Sequence, residues 1–302
     1  MDFALIGYGE VGRILAEDLR KAGHAVRAYD LKLASGLGEP MRAHARAHGV
    51  ALADSHGGAV AGAQIVVSAV TASQTVAAAA ACAGARLGDS FFLDFNSASP
   101  GAKIKAADLV ARAGGRFVEG AVMTSVPPYR LKVPLLLGGP HAAALELVLN
   151  RIGFAAKVAS AKLGVASATK MCRSVVIKGL EAMLIESLVA ARHYGVEDAL
   201  IASLRETFPG LDWEKQAAYF FQRAIEHGRR RSEEMNEAAV TVREAGLEPW
   251  SASGTALRQA WIADLGDQGV FGERSRDGFA RSPDWRIEAD RILDDAKEAS
   301  GS

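Results

Sequence analysis

Gly7-Tyr8-Gly9-Glu10-Val11-Gly12 is a GxGxxG segment. It follows the apolar run Phe3-Ala4-Leu5-Ile6 and leads into a stretch with Val11, Ile14, Leu15 and Leu19 at helical spacing. Strand, glycine turn and helix in that order make a cradle for a diphosphate. The first glycine permits the tight turn, the second lets backbone approach the phosphates, and the third lets the helix pack on the strand. The helix N-terminus adds N–H groups and a positive dipole end. Asp30 stands at the end of a second strand, Ala25–Tyr29. A carboxylate there accepts hydrogen bonds from adenosine ribose hydroxyls and repels a 2′-phosphate, so NAD is the expected cofactor. Arg27 and Lys32 lie close enough in sequence to keep NADP open, and an aspartate at this place also suits a plain turn or helix cap.

Two later strand ends offer further polar groups. Val70 and Thr71 close the run from Ile65, and Asn96 and Ser97 follow Phe91–Phe95. In an α/β sheet, ligands bind beyond the carboxyl ends of the strands, so these residues are candidates for the cofactor site. Ser73, Ser97 and Ser99 serve equally well as helix caps. The elements that must hold these groups alternate strand and helix, which implies a parallel sheet covered on both faces. Val133–Leu137 and Phe154–Val158 read as later strands of the same α/β Rossmann-type domain. From about Lys162 to Tyr194 the chain has no proline and, beyond Gly164 near its start, one glycine, Gly179, which reads as one long helix stopped by Gly195. Helical segments follow at Glu197–Glu206, Trp213–Gly228, Ser232–Ala245 and Ser253–Leu265. The expected domains are therefore 1–160, dinucleotide-binding, and 161–302, all-helical.

The 302 residues carry 35 Lys+Arg against 35 Asp+Glu, and a zero balance argues against a polyanion-binding surface spread over the molecule. The run Arg229-Arg230-Arg231 has acidic neighbours and reads as an ion-paired turn at a helix start rather than a nucleic-acid patch. Two cysteines make neither a disulfide scaffold nor a CxxC metal pair, and the histidines show no metal spacing, so no metal is expected. The N-terminus lacks a signal-peptide pattern, and the Ala-rich run Val76–Ala83 is too short to cross a bilayer. A cytoplasmic protein with no membrane partner is the expectation. Trp250 and Trp261 are expected in the core, and Gly301-Ser302 is expected to fray.

The GxGxxG start, Asp94-Phe95-Asn96-Ser97, the stretch Glu119–Gly139 and the helix carrying Lys170 together resemble the β-hydroxyacid dehydrogenase superfamily, in a branch with a divergent C-terminal domain. The resemblance implies a Rossmann domain, a long interdomain helix and a helical C-terminal domain, usually paired as a homodimer. It implies an NAD(P)-dependent oxidoreductase interconverting hydroxyl and carbonyl on a small carboxylate substrate. Lys170 matches the family's general acid/base, and Ser174 stands where the family has asparagine. Ala166 replaces a second glycine ahead of the lysine. Ile177 occupies the place of the glutamate that 6-phosphogluconate dehydrogenase uses in decarboxylation, which disfavours that reaction.

The family's substrate loop, Asp-x-Pro-Val-Ser-Gly-Gly, corresponds to Glu119-Gly120-Ala121-Val122-Met123-Thr124-Ser125. Thr124 and Ser125 keep donors for a carboxylate, Met123 adds apolar bulk, and Pro127-Pro128-Tyr129 stiffens the segment beyond them. Arg173, one turn from Lys170, is a candidate for substrate binding and is expected to ease deprotonation of the lysine. With Ser174 and Lys178 these form a cationic stripe on one helix face, though a solvated face is as good a reading for Lys178. Cys172 is expected to pack beside the site, and Met235 or Asn236 to line the cleft. The alternatives are an imine (C=N) reductase, which usually lacks the lysine, and a non-enzymatic NAD(P)-binding sensor.

Overall fold

The computed structural model describes residues 1–36, 38–273, 282 and 284–300. Gly301 and Ser302, expected to fray, lie outside the described residues. The chain divides into two compact units, Met1–Cys172 and Arg173–Ser302.

The first unit holds an eight-stranded sheet: β1 (Asp2–Ile6), β2 (Ala25–Tyr29), β3 (Ala51–Leu52), β4 (Ile65–Ser68), β5 (Phe91–Asp94), β6 (Arg116–Val122), β7 (Pro134–Gly138) and β8 (Ala155–Ser160). Its order is β3-β2-β1-β4-β5-β6-β7-β8. The helices are α1 (Glu10–Lys21), α2 (Gly38–His48), α3 (His56–Val60), α4 (Thr75–Ala83), α5 (Pro100–Arg112), α6 (Val126–Tyr129) and α7 (Ala142–Arg151). Side chains alternate across each strand, so the sheet feeds two cores. Phe3, Leu5, Ile65, Val67 and Leu93 face α1, α2 and α7 through Leu15, Leu19, Met41 and Leu145. Ala4, Ile6, Val66 and Phe92 face α3, α4 and α5 through Val60, Ala79 and Ala106. Because β4 returns beside β1 on the side away from β2, the switch point lies between β1 and β4.

Two differences from the expected sheet matter for the site. The segment of β6 reads in sequence as part of a loop. It is a strand, nearly all buried, whose interior Glu119 and Gly120 break the apolar run that marks a strand in sequence. The sheet is also not wholly parallel: β6 and β7 run antiparallel, with Glu119 opposite Gly138. A side chain at Gly138 would strike Glu119, its Cβ lying 2.1 Å from Oε1, so the glycine opens room for that carboxylate.

A 30-residue helix, α8 (Val165–Tyr194), starts in the first unit and continues into the second. The sequence places the division ahead of this helix, near residue 160. Its first turns instead belong with the sheet, because the buried Glu119 carboxylate accepts from Ala166 N at 3.0 Å and from Ser167 Oγ at 2.7 Å. A carboxylate at a helix start meets both the unpaired N–H groups and the positive dipole end.

The second unit packs the rest of α8 with α9 (Glu197–Thr207), α10 (Trp213–Glu244), α11 (Trp250–Asp267) and α12 (Trp285–Ser300) around Leu188, Phe221, Ile262 and Trp285. The two segments expected at Trp213–Gly228 and Ser232–Ala245 are one helix. Arg229–Arg231 lie in its middle, not at a start. Arg229 pairs with Asp264 and Asp267, Arg230 with Glu234, and the buried Arg231 with the buried Glu181, so the run is neutralised in place. Met235 is fully buried. Trp261 packs against the core, but Trp250 is 81% exposed at the start of α11, contrary to expectation. Among the described residues no helix is long and apolar enough to cross a membrane.

Candidate active site

The glycine loop turns at the carboxyl end of β1. Gly7 has a φ of +94°, and a Cβ there would lie 2.3 Å from the Ala69 carbonyl oxygen. A Cβ at Gly12 would lie 2.1 Å from the Gly7 carbonyl oxygen, so α1 reaches the loop only because this position is bare. Gly9 differs, with nothing within 4 Å of its Cβ position. It is the N-cap of α1, and no side chain caps that helix. Open space therefore sits beside the first-turn N–H groups of Glu10, Val11 and Gly12, which fits a pyrophosphate. Replacing Gly12 with alanine is expected to weaken NADH binding at least about tenfold and to cost roughly 1–3 kcal/mol through overpacking. Fluorescence titration and a thermal melt read the two effects.

Asp30 organises the loop from below. Its Oδ2 accepts from Tyr8 N at 2.8 Å and its Oδ1 from Lys32 N at 2.8 Å. It is thus both the turn residue and the carboxylate at the end of β2, and each oxygen keeps a lone pair for a ribose hydroxyl. Arg27, one of the two cations that kept NADP open, donates instead to the Gly58 and Ala61 carbonyls. The Tyr8 ring is fully buried, and its hydroxyl meets His44 Nδ1 at 2.9 Å.

The strand ends β4 and β5 are locked together. Asn96 Oδ1 accepts from Val70 N at 2.8 Å, Asn96 Nδ2 donates to Ser68 Oγ at 3.0 Å, and Asn96 N donates to Asp94 Oδ1 at 2.8 Å. Asn96 is buried, and these bonds make it the brace that shapes the site wall. Behind it, the buried Lys103 donates to Asp94 Oδ1 at 3.0 Å and to the Asp94 carbonyl at 3.1 Å. Lys103 does not stand out in sequence, because a lone lysine in a helix gives no sign of burial. Thr71 is exposed, with Oγ1 3.4 Å from Ser73 Oγ. Ser99 is the cap of α5, accepting from Ala102 N. Ser97 is not a cap: its Oγ accepts from Lys170 Nζ at 2.5 Å. The half-buried Lys170 in α8 thus reaches the carboxyl end of β5.

In the loop after β6, Met123 and Ser125 are half-buried and Thr124 is exposed. Met123 N is held by the Pro134 carbonyl at 2.9 Å. Glu119, matched to the head of the substrate motif, is committed to α8. In the second unit, Arg173 is exposed. Ser174 is buried, and its Oγ accepts from Lys178 Nζ at 3.4 Å. Lys178 is no solvated residue: it is buried and ion-paired with Glu234 at 2.6 Å. Burial pushes its pKa down, against the pull of Glu234. The expected cationic stripe loses one charge to this pair. Cys172, expected to pack, is exposed.

Residues 2–158 match the family described as the NAD binding domain of 6-phosphogluconate dehydrogenase. The chain belongs to the β-hydroxyacid dehydrogenase superfamily. Within it, residues 191–262 match a domain of unknown function, DUF1932. A conserved hypothetical protein from Sinorhizobium meliloti 1021 is 39% identical, with 96% of each chain covered and a TM-score of 0.74. A conserved protein of unknown function, described as structurally similar to 3-hydroxyacid dehydrogenases, is 30% identical over 89% of this chain and 99% of its own, with a TM-score of 0.69. The 3-hydroxyisobutyrate dehydrogenase of Pseudomonas aeruginosa is 26% identical over 219 residues, 70% of this chain and 71% of that one. Like others of this superfamily, the chain carries an NAD-binding domain followed by a helical region.

Asp30 is the residue expected to discriminate between the two dinucleotides. Asp30→Asn keeps an acceptor for a loop N–H and removes the charge. The ratio of NADP to NAD affinity is expected to rise about tenfold, a difference of about 1.4 kcal/mol. Parallel titrations with NADH and NADPH measure it.

Proposed function

We propose that this chain is an NAD(P)-dependent oxidoreductase that interconverts a hydroxyl and a carbonyl on a β-hydroxy-acid-like carboxylate, with Lys170 as general acid/base. The 2.5 Å hydrogen bond from Lys170 Nζ to Ser97 Oγ carries this reading. It supports a proton-transfer role by bringing the Lys170 amine to the carboxyl end of a strand two places from the one that ends in the glycine loop, the end where such folds hold their ligands. A bound nicotinamide supplies the hydride donor or acceptor, and the loop Gly7–Gly12 with Asp30 fits the rest of the dinucleotide. In oxidation, neutral Lys170 takes the hydroxyl proton; in reduction, its ammonium returns a proton to the carbonyl oxygen. An ammonium has three donors, so one can stay on Ser97 while another meets the substrate oxygen.

Thr124 and Ser125 supply donors for the substrate carboxylate, and Arg173 a cation. Met123 favours a substrate with an apolar part. Ser174, steadied by Lys178, keeps its hydroxyl proton as a donor. Asp30 favours NAD over NADP. We assign the protein to a reducing compartment, the cytoplasm, which its two free cysteines support, and to a homodimer, which exposed Val176, Met183 and Leu257 support.

The test is a turnover panel of hydroxy acids, aldehydes and imines, followed by NADH and NADPH absorbance. Turnover of a hydroxy acid or its carbonyl partner supports the proposal. Turnover of imines alone replaces it with a C=N reductase, and cofactor binding with no turnover replaces it with a sensor.

A further inference from the structure

Away from the proposed catalytic groups, α1 and α2 bring together Glu17, His44 and His48, all half-buried. One ligand atom from each lies within 4.8 Å of the others. His44 and His48 are four residues apart on α2 and share a face. Their rings lie tilted by 31° with centroids 4.4 Å apart. Glu17 Oε1 sits 3.0 Å from His44 Nε2. Two ligands of a tetrahedral zinc with bonds near 2.1 Å stand about 3.4 Å apart, so a shift of about 0.4 Å would turn this hydrogen-bonded pair into a ligand edge. In sequence His44 and His48 stand four residues apart, but Gly36, Gly38 and Pro40 disguise the helix that puts them on one face, so the spacing does not read as a metal pair.

We propose that Glu17, His44 and His48 form a site for a divalent transition-metal ion of the zinc type, outside the reaction centre. The surroundings have the features such sites need. His44 uses its other ring nitrogen, Nδ1, on the Tyr8 hydroxyl at 2.9 Å, which fixes the ring and leaves Nε2 turned toward Glu17. A metal-ligating histidine is generally held through its second nitrogen in this way. Glu17 divides its oxygens: Oε2 pairs with Arg130 at 2.7 Å, while Oε1 faces the histidines. Arg130 is a cation next to the site, but Asp18 also binds it at 2.7 Å, so the local balance of Glu17, Asp18 and Arg130 stays negative. Three protein ligands of this kind leave a fourth position for water, and imidazole with carboxylate suits zinc over magnesium or calcium. Glu17 and His44 side chains are 21% and 15% exposed, so an ion can enter from solvent without unfolding.

The experiment is isothermal titration of the tag-free full chain, first treated with a chelator, with zinc chloride at pH 7.5. The expected result is one equivalent bound, with affinity reduced at least tenfold in His48→Ala and in Glu17→Gln and unchanged in His193→Ala. His48 makes no hydrogen bond among the described residues, so His48→Ala should melt within a degree or two of the parent, and a matched melt confirms that lost binding is not lost folding. No saturable heat, or a stoichiometry and affinity that survive His48→Ala, overturns the proposal.

Discussion

Replacing Lys170 with alanine is expected to lower kcat about 10²–10⁴-fold, the range that a positioned proton-transfer group contributes. NADH affinity should change by less than about threefold, because the proposed dinucleotide site lies at the glycine loop and Asp30, while the amine of Lys170 is held at Ser97. Lys170→Arg sharpens the test. A guanidinium still donates to Ser97 and keeps the charge, but it does not give up its proton near neutral pH. If Lys170 only positions Ser97, arginine restores activity; if it transfers the proton, arginine is as slow as alanine. Ser97→Ala should fall between, since the amine survives but loses the acceptor at 2.5 Å that aims it. Initial rates and the pH profile of kcat/KM for the four proteins, with NADH binding measured alongside, decide the matter.

The second large effect concerns stability. Lys103→Met is expected to cost about 3–5 kcal/mol, the usual result of stripping one partner from a buried ion pair. Asp94 is fully buried, and Lys103 is 1% exposed. Asp94 Oδ2 has no partner among the described residues, so the lysine on Oδ1 supplies the countercharge. Without it a carboxylate stays in the core beside Asn96. Asp94→Asn together with Lys103→Met removes both charges and keeps an acceptor for Asn96 N, so the double variant should recover part of the loss. Urea unfolding of the three proteins measures this. Lys103→Met should also loosen the brace of Asn96 on Ser68 and Val70, and cofactor affinity should fall with it.

Much of the first ninety-odd residues was legible because the signals there are local. The strand at β1, the glycine turn, α1 and β2 each read from a few neighbouring residues, and β2 and the stop at Gly195 fall where the spacing puts them. The illegible parts depend on distant partners. β6 hides because Glu119 looks polar until its bonds to Ala166 and Ser167, 47 and 48 residues on, are known. Lys178 reads equally well as part of a site stripe or as solvated until Glu234 is seen beside it, and nothing local marks Lys103 as buried until Asp94 is seen. Trp250 reads as core by type, yet it stands at an exposed helix start. Of the site, the cradle and Asp30 came from spacing alone. Lys170 came from resemblance, and its contact with Ser97 came from neither.

Arg130 is the one residue other than glycine with a positive φ among the described residues, at 53°. It takes that conformation at the end of α6 while its guanidinium holds Asp18 and Glu17 of α1. The stretch from Met123 is therefore anchored at both ends, by the Pro134 carbonyl at one and by α1 at the other. A segment tied this way gives up its freedom during folding, not during catalysis, so little further ordering entropy is spent when a substrate arrives. Encounter with substrate at this loop should then resemble a rigid dock, with an on-rate set by diffusion and charge rather than by loop closure.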